Sequence, residues 1–523
     1  MGVAFGRETA MATASLIDSA KREPLWTATK KMPPFPPLQE DLHADVCIVG
    51  AGIAGLTTAY LLTQAGSSVV VLDDGPLAGG MTSATTAHLS NAIDDGSFEI
   101  ERIHGQEGAR LAAASHTAAI DRIEAIVQKE EIQCDFERLN GYLFLPPGES
   151  QELLDRELAA AHSAGLSDVE KIARVPWRDF DTGPCLRFPN QGQFHPLKYL
   201  AGLAQSIDKG GGRLFTRSHV DEIQGGDPAR IRVGSHKVTA KAVVVATNVP
   251  VNDLLAIHTK QAPYMTYVIG ARVPRGCVPK ALYWDTDDPY HYVRLQSVTS
   301  GSQEHEILIV GGEDHKSGQA DDADERHARL EAWSRDRFPM IEQIEFVWGG
   351  QVMETLDGLA FIGRNPLDAD NVFVATGDSG MGMTHGTIAG ILLTDLIRGR
   401  ENPWAKLYDP SRKSLRTLGT FAKENLNVAA QYGAWLTAGE VDSVAEIVPG
   451  SGAILRRGLT KVAVYRDDQG QLHERSAVCT HLGCVVQWNP AEKTWDCPCH
   501  GSRFNKTGQP INGPANSELP LGS

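Results

Sequence analysis

Apolar positions in this chain fall into three kinds of run, and each predicts a different element. Val46-Cys47-Ile48-Val49 and Val69-Val70-Val71-Leu72 are unbroken apolar stretches, as expected of strands buried on both faces. Between them, Gly55 to Ala65 sets Ala59, Leu61 and Leu62 on the packing side of a helix. Strand, helix and strand over Asp45 to Asp73 make a βαβ unit. Lys241 to Thr247 and Asn371 to Gly377 read as two more buried strands, the second followed by a glycine-rich turn and a helix over Thr387 to Arg398. The region 105–345 mixes a helix over Glu107 to Glu131 with strands such as Ile307 to Val310, so one sheet is built from distant segments with other material inserted. Beyond Pro410, Leu415, Leu418, Phe421 or Ala422, Leu426, Ala429, Tyr432 and Leu436 recur near helical spacing. This predicts a helix joining two domains, docked on the body rather than on lipid. From Val441 onward short strands alternate with turns, the pattern of a small all-β domain.

Val46 to Leu72 carries no charge over 27 residues, long enough to cross a membrane. Its internal glycines and serines break it into the βαβ unit, so no transmembrane span is expected. Met1 to Lys31 lacks the apolar core of a secretory signal, and Gly6 stands where a myristoylation signal needs Ser or Thr. Met11 is an alternative start. Met32-Pro33-Pro34-Phe35-Pro36-Pro37 predicts an extended arm packed on the body. The expected compartment is cytoplasmic.

The chain has 523 residues, with 49 Lys and Arg against 65 Asp and Glu, a net charge of −16. Nucleic-acid binding needs a basic face, so no such partner is expected. Four of the eight cysteines (Cys47, Cys134, Cys185, Cys277) are scattered and read as small buried hydrophobes. The other four lie close together near the C-terminus.

Gly50-Ala51-Gly52-Ile53-Ala54-Gly55 follows a strand and opens a helix, the setting in which this pattern holds a dinucleotide. Gly50 permits the tight turn, Gly52 lets backbone approach a pyrophosphate at the helix N-terminus, and Gly55 allows close helix–strand packing. Asp73 ends the next strand and can accept from a ribose hydroxyl; Asp74 is a substitute. The fingerprint does not separate FAD from NAD. The absence of a second such unit argues against a nicotinamide domain.

The late segments Asp357 to Arg364 and Ala375 to Gly386, the latter reading Ala-Thr-Gly-Asp-Ser-Gly-Met-Gly-Met-Thr-His-Gly, resemble the C-terminal flavin motif of the D-amino-acid-oxidase-like family. That family includes sarcosine, glycine and γ-glutamylputrescine oxidases. The resemblance covers about 41–410, close at both ends and vague in the middle. It implies FAD as cofactor, with Gly377, Gly380, Gly382, Met383 and Thr384 at the isoalloxazine. It also implies that the loop Gly79 to Leu89 lies over the flavin, bringing Thr86 and His88 to the site. His88 is either a covalent flavin anchor or a polar lining residue, the second being favoured. Tyr290-His291-Tyr292-Val293-Arg294 falls in a region that faces the flavin in relatives. By alternation Tyr290, Tyr292 and Arg294 share one face, so Tyr292 and Arg294 are the catalytic candidates, Arg294 as a bidentate carboxylate ligand or a structural arginine.

Cys479-Thr480-His481-Leu482-Gly483-Cys484 and Cys497-Pro498-Cys499-His500-Gly501-Ser502 each supply one thiolate and one imidazole. A Rieske [2Fe–2S] centre uses two of each, which makes Cys479, His481, Cys497 and His500 its ligands. Zinc also binds Cys and His at such spacings, but six candidates in this order favour iron–sulfur. The segment 441–523 resembles Rieske domains of the cytochrome bc type. The resemblance implies a Cys484–Cys499 disulfide, a sulfur-directed donor at Ser502, and a shielding proline loop at Gly513-Pro514-Ala515. Phe504 stands where those relatives often have tyrosine, implying a lower potential.

The expected architecture is an α/β FAD-binding, Rossmann-like domain with an inserted α+β substrate domain, plus a small all-β Rieske domain. The divisions are an N-terminal arm at 1–40, the oxidoreductase domain at 41–410, a helical linker at 411–440 and the Rieske domain at 441–523. The expected function is oxidation of an amine or amino-acid-like substrate at FAD, with electrons leaving through an exposed His481–His500 edge to a one-electron carrier protein or quinone-type acceptor. A reductase running the other way, and a non-turnover redox sensor or electron carrier, are the alternatives.

Overall fold

The computed structural model describes residues 20–252, 257–300, 303–413 and 415–522. Residues 1–19, which include the Met11 start and half of the arm, lie outside them. Strand Leu42–Val49 pairs in parallel with Val69–Leu72 on one side and His236–Val245 on the other. Val372–Thr376 and Arg213–Phe215 extend the parallel sheet outward, and Phe361–Arg364 closes one edge antiparallel. The apolar runs are buried because one face packs on helices and the other on residues of strand Ala229–Val233 and its neighbours: Cys47, Ile48, Val243 and Val244 have no exposed surface.

Helix Ile53–Gln64 lies on this sheet, and helix Gly382–Ile397 lies on that helix. A Cβ on Gly386 would meet Ile53 Cγ2 at 2.6 Å, and one on Gly390 would meet Thr57 Cγ2 at 2.5 Å. This glycine stripe lets the two helix backbones approach. It also hides the helix from propensity reasoning, since glycine costs about 1 kcal/mol per site in a helix; the helix starts at Gly382, five residues before the predicted Thr387. The predicted helix in the middle region is longer than its pattern, Ser97–Lys129, with a break at Gly105.

A second, nine-stranded sheet carries the inserted region, in the order Gln343–Thr355, Gln261–Val273, Gln303–Lys316, His291–Ser300, Leu282–Asp285, Glu137–Phe144, Cys185–Gln193, His88–Leu89. Glu170–Ile172 pairs with Cys185–Gln193 off this path. The arm is tied in through Trp26 of the short helix Leu25–Thr29, whose ring is fully buried.

The C-terminal region forms two small antiparallel sheets, of three strands over Ser451–Ser476 and four over Gln487–Asn512. The connecting helix is Leu418–Gln431. None of its side chains is buried, and Leu418, Leu426 and Leu436 are more than half exposed. Polar contacts hold one side, where Lys316 pairs with Glu424 and Asn425 Nδ2 donates to Thr259 O at 3.1 Å, while Val428 and the following Ala434 and Trp435 pack on the core of the C-terminal region. No helix among the described residues is long and apolar enough to cross a membrane.

Candidate active site and metal centre

A cavity of about 510 Å³ opens where the glycine-rich turn, the first parallel strands and the second sheet meet. At one end, Gly50 has φ +102°, and a Cβ there would sit 2.3 Å from Ala246 O; on Gly55 it would sit 1.9 Å from Gly50 O. Only glycine fits either position. Asp73 Oδ2 accepts from Ala51 N at 2.7 Å and Oδ1 from Gly75 N at 2.9 Å. Burial nevertheless pushes its carboxyl up to about 6. Asp74, beside it, faces His219 at 3.6 Å.

The loop before His88 crosses the middle of the cavity, and four successive carbonyls of it are capped by buried donors. Trp348 Nε1 donates to Ala84 O at 2.9 Å and Trp26 Nε1 to Thr85 O at 2.6 Å. Arg294 Nη1 donates to Thr86 O at 3.2 Å and Ala87 O at 2.9 Å. Ala87 is held at φ +59°. His88 and Thr86 both line the cavity. Thr86 Oγ1 and His88 Nδ1 are 3.0 Å apart, and His88 Nε2 is 3.4 Å from Val293 O. The arrangement fits a proton on Nε2, with Nδ1 accepting from the hydroxyl. Burial, reinforced by Arg294, lowers the ring's pKa to about 3, so it is neutral.

Tyr290 and Tyr292 reach the cavity as alternation predicts, but Arg294 does not. It has no exposed surface, and besides the loop carbonyls it donates to Phe194 O at 3.1 Å and Gln296 Oε1 at 2.7 Å. Loop 84–87 covers the strand where Arg294 emerges, which turns a candidate carboxylate ligand into a loop clamp. Tyr292 sets its hydroxyl 2.8 Å from Thr266 Oγ1 and its ring edge-on to His88. Gly311 makes room, since a Cβ there would lie 2.3 Å from the Tyr292 ring.

At the far end, Gly377, Gly380, Gly382 and Met383 line the cavity. Gly377 and Gly380 have φ +72° and +70°. Thr384 turns away: its hydroxyl lies 2.9 Å from His116 Nδ1, in the core. No lysine or arginine is among the described lining residues, whereas Asp94 and Asp378 are. Asp94 lies at the cavity wall, beside Tyr290. Burial and neighbouring Asp95 push its carboxyl up to about 7 although Tyr290 OH donates to it at 3.0 Å.

In the C-terminal region Cys479, Cys497, His481 and His500 converge from two loops. The sulfurs of Cys484, Cys497 and Cys499 lie within 4.8 Å of one another. Cys484 and Cys499 are consumed in a disulfide, Cα–Cα 6.4 Å, which leaves Cys497 and Cys479 as thiols. Hydrogen bonding from Cys497 lowers Cys479 to about 7. The rings of His481 and His500 are 5.0 Å apart and nearly perpendicular, and burial lowers His500 to about 3. Two adjacent thiols and two imidazoles, His500 among them held neutral, fit a centre that requires deprotonated ligands.

The family description "FAD dependent oxidoreductase", DAO, matches residues 45–396, and "Rieske [2Fe-2S] domain" matches 435–521. The chain belongs to the DAO family of FAD-dependent oxidoreductases and carries a C-terminal Rieske domain. It is 32% identical over 501 residues to the Rieske 2Fe-2S iron-sulfur protein YhfW of Bacillus subtilis (strain 168), covering 94% of this chain and 96% of the relative. It is 30% identical over 390 residues to γ-glutamylputrescine oxidoreductase of Escherichia coli (strain K12), covering 71% of this chain and 88% of that one. Among solved structures, glycine oxidase from Geobacillus kaustophilus superposes with a TM-score of 0.59 at 19% identity, over 71% of this chain and 99% of that one. The DAO family binds FAD and the Rieske domain binds a [2Fe–2S] cluster. The glycine cradle and the thiol–imidazole set are compatible with these groups.

The two redox modules are in contact. His258, from the oxidoreductase part, packs edge-on at 4.9 Å from His481 and 6.0 Å from His500, ring centre to centre. Gln351 Nε2 donates to Gly501 O at 2.9 Å, and a Cβ on Gly501 would meet Pro263 Cβ at 2.7 Å. The imidazole edge expected to be exposed is therefore covered; His500 is 7% exposed. Sequence reasoning missed His258, Gln351, Trp26 and Trp348. No motif marks them, because each acts through a contact with a distant segment.

Proposed function

We propose that this protein oxidises a cationic amine at FAD and passes the electrons internally to its Rieske cluster, then to an external one-electron acceptor. The observation that carries this reading is the packing of His258 against both cluster imidazoles. It sets the ligand edge of one redox module on the other. FAD supplies two-electron chemistry at a substrate C–H bond, and a Rieske cluster supplies one-electron transfer.

The chain's own residues shape the substrate. Tyr290, Tyr292 and neutral His88 form an aromatic, uncharged wall. Asp94 offers the ammonium an acidic side chain that the bound cation would hold ionised, whereas a substrate carboxylate finds no cationic side chain among the described lining residues. That supports the amine over the amino acid. The covered imidazole edge leaves an external partner two routes, another face of the Rieske domain or an undocked state. A cytoplasmic location is part of the same proposal.

Anaerobic reductive titration tests it, following flavin absorbance and the Rieske electron-paramagnetic-resonance signal together. Amines without a carboxylate should bleach the flavin and raise the cluster signal, with α-amino acids inactive. Reduction of both centres by dithionite alone would reject the amine reading in favour of a reductase or a redox sensor.

A further inference from the structure

The Rieske domain does more than touch its neighbour: its segment 510–516 is part of the cavity wall. Pro510, Ile511, Asn512, Gly513, Ala515 and Asn516 all line the FAD cavity. The segment is pinned at both ends of its crossing. On the sheet side, Asn512 Nδ2 donates to Gln351 Oε1. On the nucleotide side, Asn516 Nδ2 donates to Val220 O at 2.9 Å and Asn516 O accepts from His219 Nε2 at 3.1 Å. Gly513 packs close to Val249, where a Cβ would lie 3.2 Å from its carbonyl oxygen. Ile511 remains 49% exposed at the cavity. The segment's other face turns toward the cluster ligands: Ala515 N donates to Ser502 Oγ at 3.0 Å, two residues after the ligand His500.

We propose that residues 510–516 are a flavin-binding segment supplied by the Rieske domain, with Ile511 and Asn516 holding FAD in place. This rests on the FAD assignment of the cavity. Because the wall is completed from another domain, FAD retention and Rieske docking are thermodynamically linked: whatever favours one favours the other. A domain that swings away to meet an acceptor would open the flavin site as it left.

The test uses the full-length protein with its cluster in place and its flavin removed, titrated with FAD by flavin-fluorescence quenching. Ile511→Asp places a carboxylate against an anionic ligand, and Asn516→Ala removes the bond to Val220. Each should raise the FAD dissociation constant about tenfold, the scale of one lost buried interaction. The cluster's paramagnetic signal should be unchanged. Leu459→Asp, on an 87% exposed residue of the same domain outside the cavity, should bind FAD as the parent does. Unchanged affinity in both test variants, with the cluster intact, overturns the proposal. If Asn516→Ala loses its cluster, Ile511→Asp decides alone. A parent protein that binds no FAD would instead reject the cofactor assignment itself.

Discussion

Arg294 Nη1 lies 2.9 Å from the carbonyl oxygen of Ala87, the residue before His88. With it the guanidinium fixes Thr86 and Phe194, and Trp26 and Trp348 fix the two residues upstream. A loop at a cavity wall is thus held by its backbone, leaving Thr86 and His88 to line the cavity. Burial lowers the Arg294 pKa to about 9, still charged at neutral pH, and its desolvation is offset by the carbonyls it satisfies.

Arg294→Lys keeps the charge but loses the planar fork. At least two carbonyls lose their donor, at about 1–3 kcal/mol each when buried. Denaturant unfolding should show a loss of about 3 kcal/mol, and the purified variant should carry less flavin per chain. Full stability with full flavin content would show that the clamp is dispensable.

Both ring nitrogens of His88 are engaged by Thr86 and Val293, so neither is left to bond a flavin. Acid precipitation should release yellow flavin to the supernatant. Flavin remaining in the pellet through washing would identify a covalent anchor.

His385 is 2% exposed, and burial lowers its pKa from 6.5 to about 4. A depressed histidine stabilises the fold in its neutral form. That contribution is complete above pH 6.5 and is lost as pH falls toward 4, because the unfolded chain then binds the extra proton. The shift corresponds to about 3 kcal/mol. His385→Gln should therefore lose less stability than the parent between pH 7 and 4. Parallel stability–pH curves would assign the acid sensitivity to other groups.

Phe504 has no exposed surface and packs in the core that holds Cys479, Cys484, Cys497 and Cys499. Donors near cluster sulfurs raise the potential of such centres. Phe504→Tyr should raise the midpoint of the Rieske signal in a redox titration; an unchanged midpoint would show that the hydroxyl does not reach a sulfur.

The sequence by itself determined the parts whose chemistry is local. Gly50, Gly52, Gly55 and Asp73 sit within one βαβ unit, and the two Cys–His loops are short, so spacing along the chain is spacing in space. The Tyr290–Tyr292 alternation carried over for the same reason, since a strand keeps its period. It failed at Arg294 because loop 84–87, distant in sequence, lies over that strand end. Thr384 failed similarly: the helix begins at Gly382, and that turn points its hydroxyl to His116. Only the tertiary structure decided that the cluster's imidazoles face inward. Docking depends on His258 with nearby Pro263, on Gln351 and on Val220, which lie on three segments far apart in sequence and acquire meaning only once the fold brings them against the C-terminal region.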